Sequence, residues 1–334
     1  MSKLNRILAV LDGADDDAVI VAKAVALAHQ QAASLELFLC DAERAYSLSH
    51  AFDPSGVARS RREGIHDAKR YLECLRDTAV GADVPIVVDA VCESPLYEGI
   101  VRKVLRSRAD LVIKSAGGRR SKHRRVWDAN DWQLMRACPT TLLLSRGRSW
   151  QPAPKFAVAV DISGHETAEL PQEILETAGL LSAGSHADIE VLYSEPPGTD
   201  PREHEKSAAA LQSLTSAAGL RGVAVEMLSG AAEEALPLFA AKQDYDVLIM
   251  GALSHREGPT SLVGTLTSKL VETLDCDFVL VKPATYQGQI QPEESDLSRD
   301  TDLAVLAGPQ RSAATPLRSP SPLEFVSPWQ LPAR

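Results

Sequence analysis

Residues 250–283 read MGALSHREGPTSLVGTLTSKLVETLDCDFVLVKP, and this stretch gives the clearest indication of the fold. An apolar run, Asp246 to Met250, leads into it, as expected for a parallel strand that is buried on both faces. A loop with glycines follows, and then a helical pattern of leucines that begins at Leu266. Phe278 to Val281 is a second apolar run. The stretch therefore predicts a strand, a loop, a helix and a strand, which is the unit of a parallel α/β sheet.

The loop has the pattern G-x2-S-x9-G-T, formed by Gly251, Ser254, Gly264 and Thr265. Glycines let a loop backbone approach a phosphate closely, and the free N–H groups at a helix start point at an anion. The side chain of Thr265 adds a hydroxyl donor. The pattern therefore predicts an anion or nucleotide pocket.

This pattern resembles the ATP-binding signature of the universal stress protein family, G-x2-G-x9-G-(S/T). The chain matches it at Gly251, Gly264 and Thr265. It departs at Ser254, where the nucleotide binders of the family carry a second glycine and where a Cβ narrows the approach of a triphosphate. The resemblance implies ATP or another adenine nucleotide as cofactor. No metal is expected, because the histidines are dispersed along the chain and only His255 lies within the loop.

The first half of the chain alternates strands and helices. The predicted strands are Asn5 to Asp12, Ser34 to Asp41, Ile86 to Val91, Asp110 to Lys114 and Thr140 to Ser145. The predicted helices are Asp15 to Gln31, Arg61 to Val80, Ser94 to Ser107 and Asp131 to Ala137. The polar residues Ala42 to Arg59 are predicted to form a long loop. Alternating βα units predict a parallel sheet with helices on both faces and ligands beyond the carboxyl ends of the strands.

The second half repeats the pattern. Its predicted strands are Phe156 to Asp161, Asp188 to Ser194, Val223 to Leu228, Asp246 to Met250 and Phe278 to Val281. Two doubly wound parallel-sheet domains in tandem, of the adenine nucleotide α-hydrolase-like type, are expected at residues 1–148 and 153–285. The polar segment Gly147 to Lys155, with two prolines, lies between them. The homodimers of the family imply a pseudo-dimer with the last strand of each half at the join.

Two further positions come from the resemblance. It implies that Asp161, at the end of a strand, approaches the adenine and ribose, and that Gly230 flanks the nucleotide. The equivalent acid of the first half is Asp12. From the residues alone, both acids are equally well explained as helix caps or turn formers.

The first half lacks the phosphate pattern, and in this it resembles the tandem branch called universal stress protein E. Cys138 and Cys276 look like equivalent landmarks, and on that basis the stretch from Ser115 to Cys138 is two positions shorter than that from Gly251 to Cys276. No Gly-Ser or Gly-Thr precedes the helix of the first half. The two halves are therefore expected to differ in chemistry.

Two segments fall outside the repeat. Gly117 to Arg125, GGRRSKHRR, is a basic loop that suits either a phosphate-bearing or acidic partner or a solvated surface. Residues 286–334 are rich in proline and serine and have little periodic apolar content, which predicts a disordered tail.

Composition narrows the class of protein. The chain has 334 residues, enough for two domains, and its net charge of −10 argues against a specific nucleic-acid partner. It has no run of eighteen apolar residues and no signal-peptide pattern, which predicts a cytoplasmic protein without a membrane span. Five scattered cysteines fit a reducing compartment.

These patterns favour a stress-response binding and regulatory protein without turnover. The sequence has no G-x-S-x-G elbow, no HExxH pattern, no paired Cys or His ligands and no Walker lysine. The expected partners are a small anionic or amphipathic ligand, signalling proteins and a second copy of the chain. Two alternatives stay open, a slow ATPase or hydrolase of the related fold and a carrier of a lipid-like ligand.

Overall fold

The computed structural model describes residues 3–79, 83–117, 127–164, 169–252, 265–286, 288 and 290. The elements of the first half are β1 (Arg6–Leu11), α1 (Asp17–Gln31), β2 (Ser34–Cys40), α2 (Ala42–Ser49), α3 (Pro54–Thr78), β3 (Ile86–Val91), α4 (Leu96–Ser107), β4 (Leu111–Ser115), α5 (Ala129–Ala137) and β5 (Thr141–Ser145).

The elements of the second half follow this order with one helix fewer between the second and third strands. They are β6 (Lys155–Ala159), α6 (Leu170–Ser182), β7 (Asp188–Glu195), α7 (Pro201–Ala217), β8 (Ala224–Ser229), α8 (Ala232–Ala240), β9 (Val247–Gly251), α9 (Thr265–Thr273) and β10 (Asp277–Val281). The predicted α/β class with two tandem units is confirmed.

All ten strands form one sheet in the order β3-β2-β1-β4-β5-β10-β9-β6-β7-β8. Neighbouring strands are parallel within each half. The exception is the central pair, in which β5 and β10 run antiparallel with Phe278 opposite Leu144 and Leu280 opposite Leu142. The second half thus reverses the strand order of the first, as a pseudo-twofold axis requires, and the predicted join at the two last strands is confirmed.

An apolar core covers each face of this sheet. One contains buried residues of α1, α3, α6 and α7, and the other contains those of α4, α5, α8 and α9. Each core runs through both halves without a break. Central strands buried on both faces are therefore continuous apolar runs, such as the Leu-Val-Ile of β4.

The prediction of a loop at Ala42 to Arg59 is wrong, because this segment forms α2 and the start of α3. The Asp41 carboxylate caps α2 by accepting the backbone N–H of Arg44 at 3.0 Å. The Asp53 carboxylate caps α3 through the N–H of Ser55, at 3.1 Å. Ala45 is the one buried residue of α2, so the segment lacks the apolar periodicity that predicts a helix.

The residue after the last strand of each half caps a helix of the other half. The guanidinium of Arg146, after β5, donates to the carbonyl oxygens of Val271 and Leu274 at the end of α9, at 2.5 and 3.1 Å. The ammonium of Lys282, after β10, donates to the carbonyl oxygens of Arg136 and Cys138 at the end of α5. Cations suit the negative end of a helix, so these contacts tie the halves together.

A buried ionic cluster adds to the join. Asp277, at the start of β10, is 2% exposed and accepts the Lys23 ammonium at 2.5 Å. It also accepts the Trp150 indole N–H at 2.7 Å, the Arg146 backbone N–H at 2.8 Å and the Ser145 hydroxyl at 3.1 Å. One carboxylate of the second half thus satisfies four donors from the first half and the linker.

Candidate functional site

Three of the predicted site residues lie where strands of the second half end. Because β9, β6, β7 and β8 are neighbours and parallel, their carboxyl ends share one edge of the sheet. Asp161 follows β6, Gly230 follows β8 and Gly251 is the last residue of β9. The structure therefore brings these three residues to one edge, where ligands of doubly wound sheets bind.

Asp161 lies beside the end of β7. Its carboxylate accepts the backbone N–H of Ser163 at 2.8 Å, which makes it a turn former as well. The pKa of Tyr193 on β7 is raised, first by burial and then by the charges of Asp161 and Glu195. The carboxyl edge of the sheet therefore carries negative charge near the ends of β6 and β7. Carboxylates there can accept hydrogen bonds from ligand hydroxyl or amine groups.

The backbone conformation at position 230 requires glycine. Its φ is +133°, in a region that residues other than glycine rarely adopt. Its N–H donates to the carbonyl oxygen of Glu195 at 2.8 Å, and its own carbonyl oxygen accepts the Ser194 hydroxyl at 2.9 Å. These bonds hold the turn after β8 against the end of β7.

The remaining site predictions belong to the loop that follows β9. Gly251 pairs with Val281, and the N–H of Ala252 donates to the Val281 carbonyl oxygen at 2.9 Å. Ser254 and Gly264 lie outside the described residues. Thr265 is the first residue of α9, although its side chain is not described. The basic loop also lies outside them, apart from Gly117.

The corresponding junction of the first half contains a buried ion pair that the sequence patterns did not reveal. The Lys114 ammonium donates to Asp131 at 2.7 Å, and the pair is almost fully buried. The other oxygen of Asp131 accepts the backbone N–H of Gly117 at 2.7 Å and that of Asp128 at 3.2 Å. One carboxylate at the start of α5 therefore receives a cation and two backbone N–H groups.

The register shows which residues of the second half are equivalent to this pair. β4 and β9 each have five residues, and α5 and α9 each have nine. Lys114 faces Leu144, and Met250 faces Leu280 in the same way. Asp131 and Thr267 are each the third residue of their helix. The second half thus has the neutral residues Met250 and Thr267, 4% and 3% exposed, in place of the ion pair.

This register corrects the cysteine landmark. Fourteen positions separate the end of β4 from the start of α5 (129 − 115), and fourteen separate β9 from α9 (265 − 251). Cys138 is therefore equivalent to Leu274 and not to Cys276. The expectation of a first-half junction two positions shorter is wrong, and the halves differ there in residue type rather than length.

Carboxylates also gather at the end of β1. Asp17 accepts the N–H of Gly13 and the hydroxyl of Tyr71, both at 2.8 Å. The pKa of Asp17 is raised to about 6, chiefly by burial and with a smaller contribution from the charge of Asp12, although the hydrogen bond from Tyr71 opposes the rise. Asp12 accepts the N–H of Ala14 at 3.0 Å, as a turn-forming acid does. Two carboxylates so placed disfavour an anionic ligand at this end.

In the part of the chain that the structure describes, no group of three or more His, Cys, Asp or Glu residues is arranged to hold a metal ion. No helix among these described residues is long and apolar enough to cross a membrane.

Comparison with known proteins gives one consistent family. The sequence model of the universal stress protein family matches residues 3–146 and 156–282. Universal stress protein E of Escherichia coli (strain K12) is 22% identical over 321 residues, covering 89% of this chain and 99% of that protein. Universal stress protein E of Salmonella typhi is 23% identical over 322 residues, covering 89% of this chain and all of that protein.

Solved structures agree in fold. A putative universal stress protein from Pseudomonas aeruginosa UCBPP-PA14 has a TM-score of 0.63 at 17% identity, covering 84% of this chain and 94% of that one. A universal stress protein from Archaeoglobus fulgidus DSM 4304 has a TM-score of 0.62 at 12% identity, covering 84% of this chain and 99% of that one.

Proposed function

Because this chain belongs to the universal stress protein family, in tandem form, we propose that it is a cytoplasmic binding and regulatory protein of the stress response. Its second half binds a phosphate-bearing ligand, an adenine nucleotide such as ATP, and its first half does not. We also propose residues 1–148 and 153–285 as its two domains, followed by a tail at 286–334.

The observation that carries this proposal is the contrast between the two strand–helix junctions. In the first half a carboxylate of the chain itself, Asp131, receives the donors at the start of α5. In the second half the equivalent residue is Thr267, which has no charge. A helix start favours an anion by roughly 0.3–1 kcal/mol when exposed and by more when enclosed. We infer that an external phosphate supplies this anion at α9.

The rest of the ligand lies along the edge towards β8. In this arrangement the phosphates approach Gly251, Ser254, Gly264 and Thr265. The base and sugar then approach the end of β6 and the turn after β8, where Asp161 and Gly230 lie. Charge supports this orientation, since a carboxylate repels phosphate but accepts hydrogen bonds from ribose hydroxyls and from the adenine amino group.

The test is a calorimetric titration of ATP into the full chain and into two matched variants of α9. Thr265→Val removes a hydroxyl from the start of the helix, and Thr273→Val removes one from its end, where Thr273 bonds only to the carbonyl oxygen of Lys269 among the described partners. We expect Thr265→Val to weaken ATP binding roughly tenfold or more, because it loses a hydrogen bond to a charged group. Thr273→Val should leave the affinity unchanged.

Two further variants test the sequence pattern itself. Gly264→Val should block the close approach of the phosphates, and Ser254→Gly should strengthen binding by restoring the second glycine of the family signature. Equal losses in Thr265→Val and Thr273→Val, or no binding even in Ser254→Gly, would contradict the proposal. Phosphate release assayed in the same samples separates binding from slow ATP hydrolysis.

A further inference from the structure

The Asp131 side chain accepts more hydrogen bonds than local helix capping requires. Asp128 and Asp131 form a capping box, in which each carboxylate accepts the backbone N–H of the other residue. That motif needs one bond to the Asp131 side chain. The same side chain also takes the N–H of Gly117 at 2.7 Å, from the loop after β4, and the Lys114 ammonium at 2.7 Å.

These donors are the kinds that a protein offers to a phosphate. They comprise a lysine, a loop N–H that follows a strand and an N–H at a helix start. They converge on Asp131, which has no exposed surface. The chain therefore places its own anion where strand and helix of this fold meet.

We propose that Asp131 is a built-in anion that fills the phosphate position of the first half, with Lys114 as its fixed counter-charge. The first half is thereby closed to an external phosphate at this position. One consequence rests on the function proposed above, namely that each chain binds a single phosphate-bearing ligand and not two. The occupation of the first half by Asp131 does not depend on that function.

The substitutions for the test are taken from the second half, which has the neutral residues Met250 and Thr267 at the positions of Lys114 and Asp131. Asp131→Thr copies Thr267 and leaves the Lys114 ammonium buried without its partner carboxylate. The double change Lys114→Met with Asp131→Thr copies the complete pair of the second half. Asp131→Asn removes the charge but keeps a side chain of the same size in the position, so that no phosphate fits.

The measurement is the melting temperature of the full chain in inorganic phosphate and in chloride at equal ionic strength. In chloride, Asp131→Thr should melt roughly 10 °C below wild type, since it breaks a buried ion pair. Phosphate should raise its melting temperature by several degrees more than it raises that of wild type. The double variant should melt close to wild type in chloride, and its gain from phosphate should be smaller than that of Asp131→Thr, because it lacks the ammonium that would pair with the phosphate.

Asp131→Asn should be destabilised without any extra gain from phosphate, which distinguishes binding in the vacated position from a general salt effect. If Asp131→Thr does not fold in chloride, the same comparison is made on its refolding yield in the two salts. An equal response of Asp131→Thr and wild type to phosphate, or failure of Asp131→Thr to fold in both salts while the double variant folds, would overturn the proposal.

This result is separable from the ATP titration. Thr265→Val in the Asp131→Thr background should leave the extra gain from phosphate intact, because the change lies in α9 of the other half. A loss of that gain would assign the phosphate to the second half and contradict a first-half position. Failure of ATP binding in the full chain, by contrast, would leave the Asp131 result unaffected.

Discussion

The two halves of the chain share a strand order and differ at the ends of their strands. Each half has the strand order 3-2-1-4-5, counted within the half, and each places a nine-residue helix between its last two strands. The interior of the sheet is apolar in both. At the end of the fourth strand, however, the first half has the ion pair Lys114–Asp131 and the second has Met250 and Thr267.

A second difference lies at the end of the third strand. The Ser194 hydroxyl donates to the carbonyl oxygen of Gly230, and the Cys40 thiol donates in the same way to that of Glu93, at 3.3 Å. Glu93 is therefore the first-half equivalent of Gly230. Its carboxylate is paired with the guanidinium of Arg102. A side chain thus occupies the place that glycine leaves open in the second half.

Both differences lie at the carboxyl edge of the sheet, and at the end of the fourth strand the residues concerned are buried in both halves. The strands of both halves keep the apolar residues that fill a common core. A buried junction can contain either a paired charge or neutral side chains, so the fold accommodates both. At these two positions the first half has internal charge pairs, and the second half has small or neutral residues.

The largest loss of stability is expected at the join, where one half has a buried carboxylate and the other does not. By register, Asp277 of β10 is equivalent to Thr141 of β5, so only the second half has a carboxylate at that position. Asp277→Ala leaves the Lys23 ammonium buried without its carboxylate and should lower the free energy of unfolding by about 3–5 kcal/mol. Urea unfolding of the full chain measures this loss.

Two variants control that measurement. Adding Lys23→Met to Asp277→Ala should restore much of the stability, because it removes the unpaired charge. Thr141→Val, at the equivalent position, should change the free energy of unfolding by less than about 1 kcal/mol. A loss in Thr141→Val as large as that in Asp277→Ala would show that the two positions are alike after all.

The second prediction is that the two cationic helix caps, Lys282 on α5 and Arg146 on α9, contribute differently to the pH dependence of stability. Burial lowers the pKa of Lys282 to about 8 from its ordinary 10.5. Between these values the unfolded chain binds more protons than the folded chain, so this residue makes stability rise with pH. The rise should be about 1.4 kcal/mol per pH unit, and the contribution is lost as pH falls through 8.

Lys282→Met should remove this part of the pH dependence. Its matched control is Arg146→Met, since the guanidinium of Arg146 caps α9 and stays charged throughout the range. Urea unfolding at pH 8, 9 and 10 gives the comparison. If wild type and Lys282→Met gained the same stability over this range, Lys282 would have its ordinary pKa in the folded chain.

The smallest effect concerns the turn after β8. Gly230→Ala places a side chain at φ +133° and should destabilise the chain by about 1–3 kcal/mol. Among the described residues the added Cβ meets only the Cβ of Ala235, at 3.5 Å, which is ordinary van der Waals contact, so the cost is conformational and not steric. Glu93→Ala should cost less, about 0–1 kcal/mol, because it removes a partly exposed ion pair.

Thermal unfolding of Gly230→Ala and Glu93→Ala, with the exposed Ser229→Ala as reference, gives this comparison. Should Gly230→Ala prove as stable as Ser229→Ala, the turn would not require glycine. Such a result would remove one reason for treating the two strand ends as different.

The fold class, the number of repeats and most strand positions could be predicted from the amino-acid sequence. Strands such as Leu111–Ser115 are buried on both faces, so they appear in the sequence as short apolar runs between polar residues. The end of each run marks the carboxyl edge of the sheet, so the sequence could place Asp161, Gly230 and Gly251 at that edge. The helix at Ala42–Ser49 was missed because it buries almost nothing.

The family resemblance predicted that the last strands lie at the join, but their antiparallel register and the exact equivalence of residues between the halves came from the tertiary structure. The antiparallel pairing of β5 with β10 joins strands more than 130 positions apart, and local patterns contain no information about such pairs. The same holds for Lys114 with Asp131 and for Lys23 with Asp277. In the sequence these are ordinary charged residues at polar positions, and they become buried pairs only when the sheet and its helices bring them together. Whether a residue is buried and which residue it pairs with depend on distances in space, whereas sequence periodicity depends only on separation along the chain.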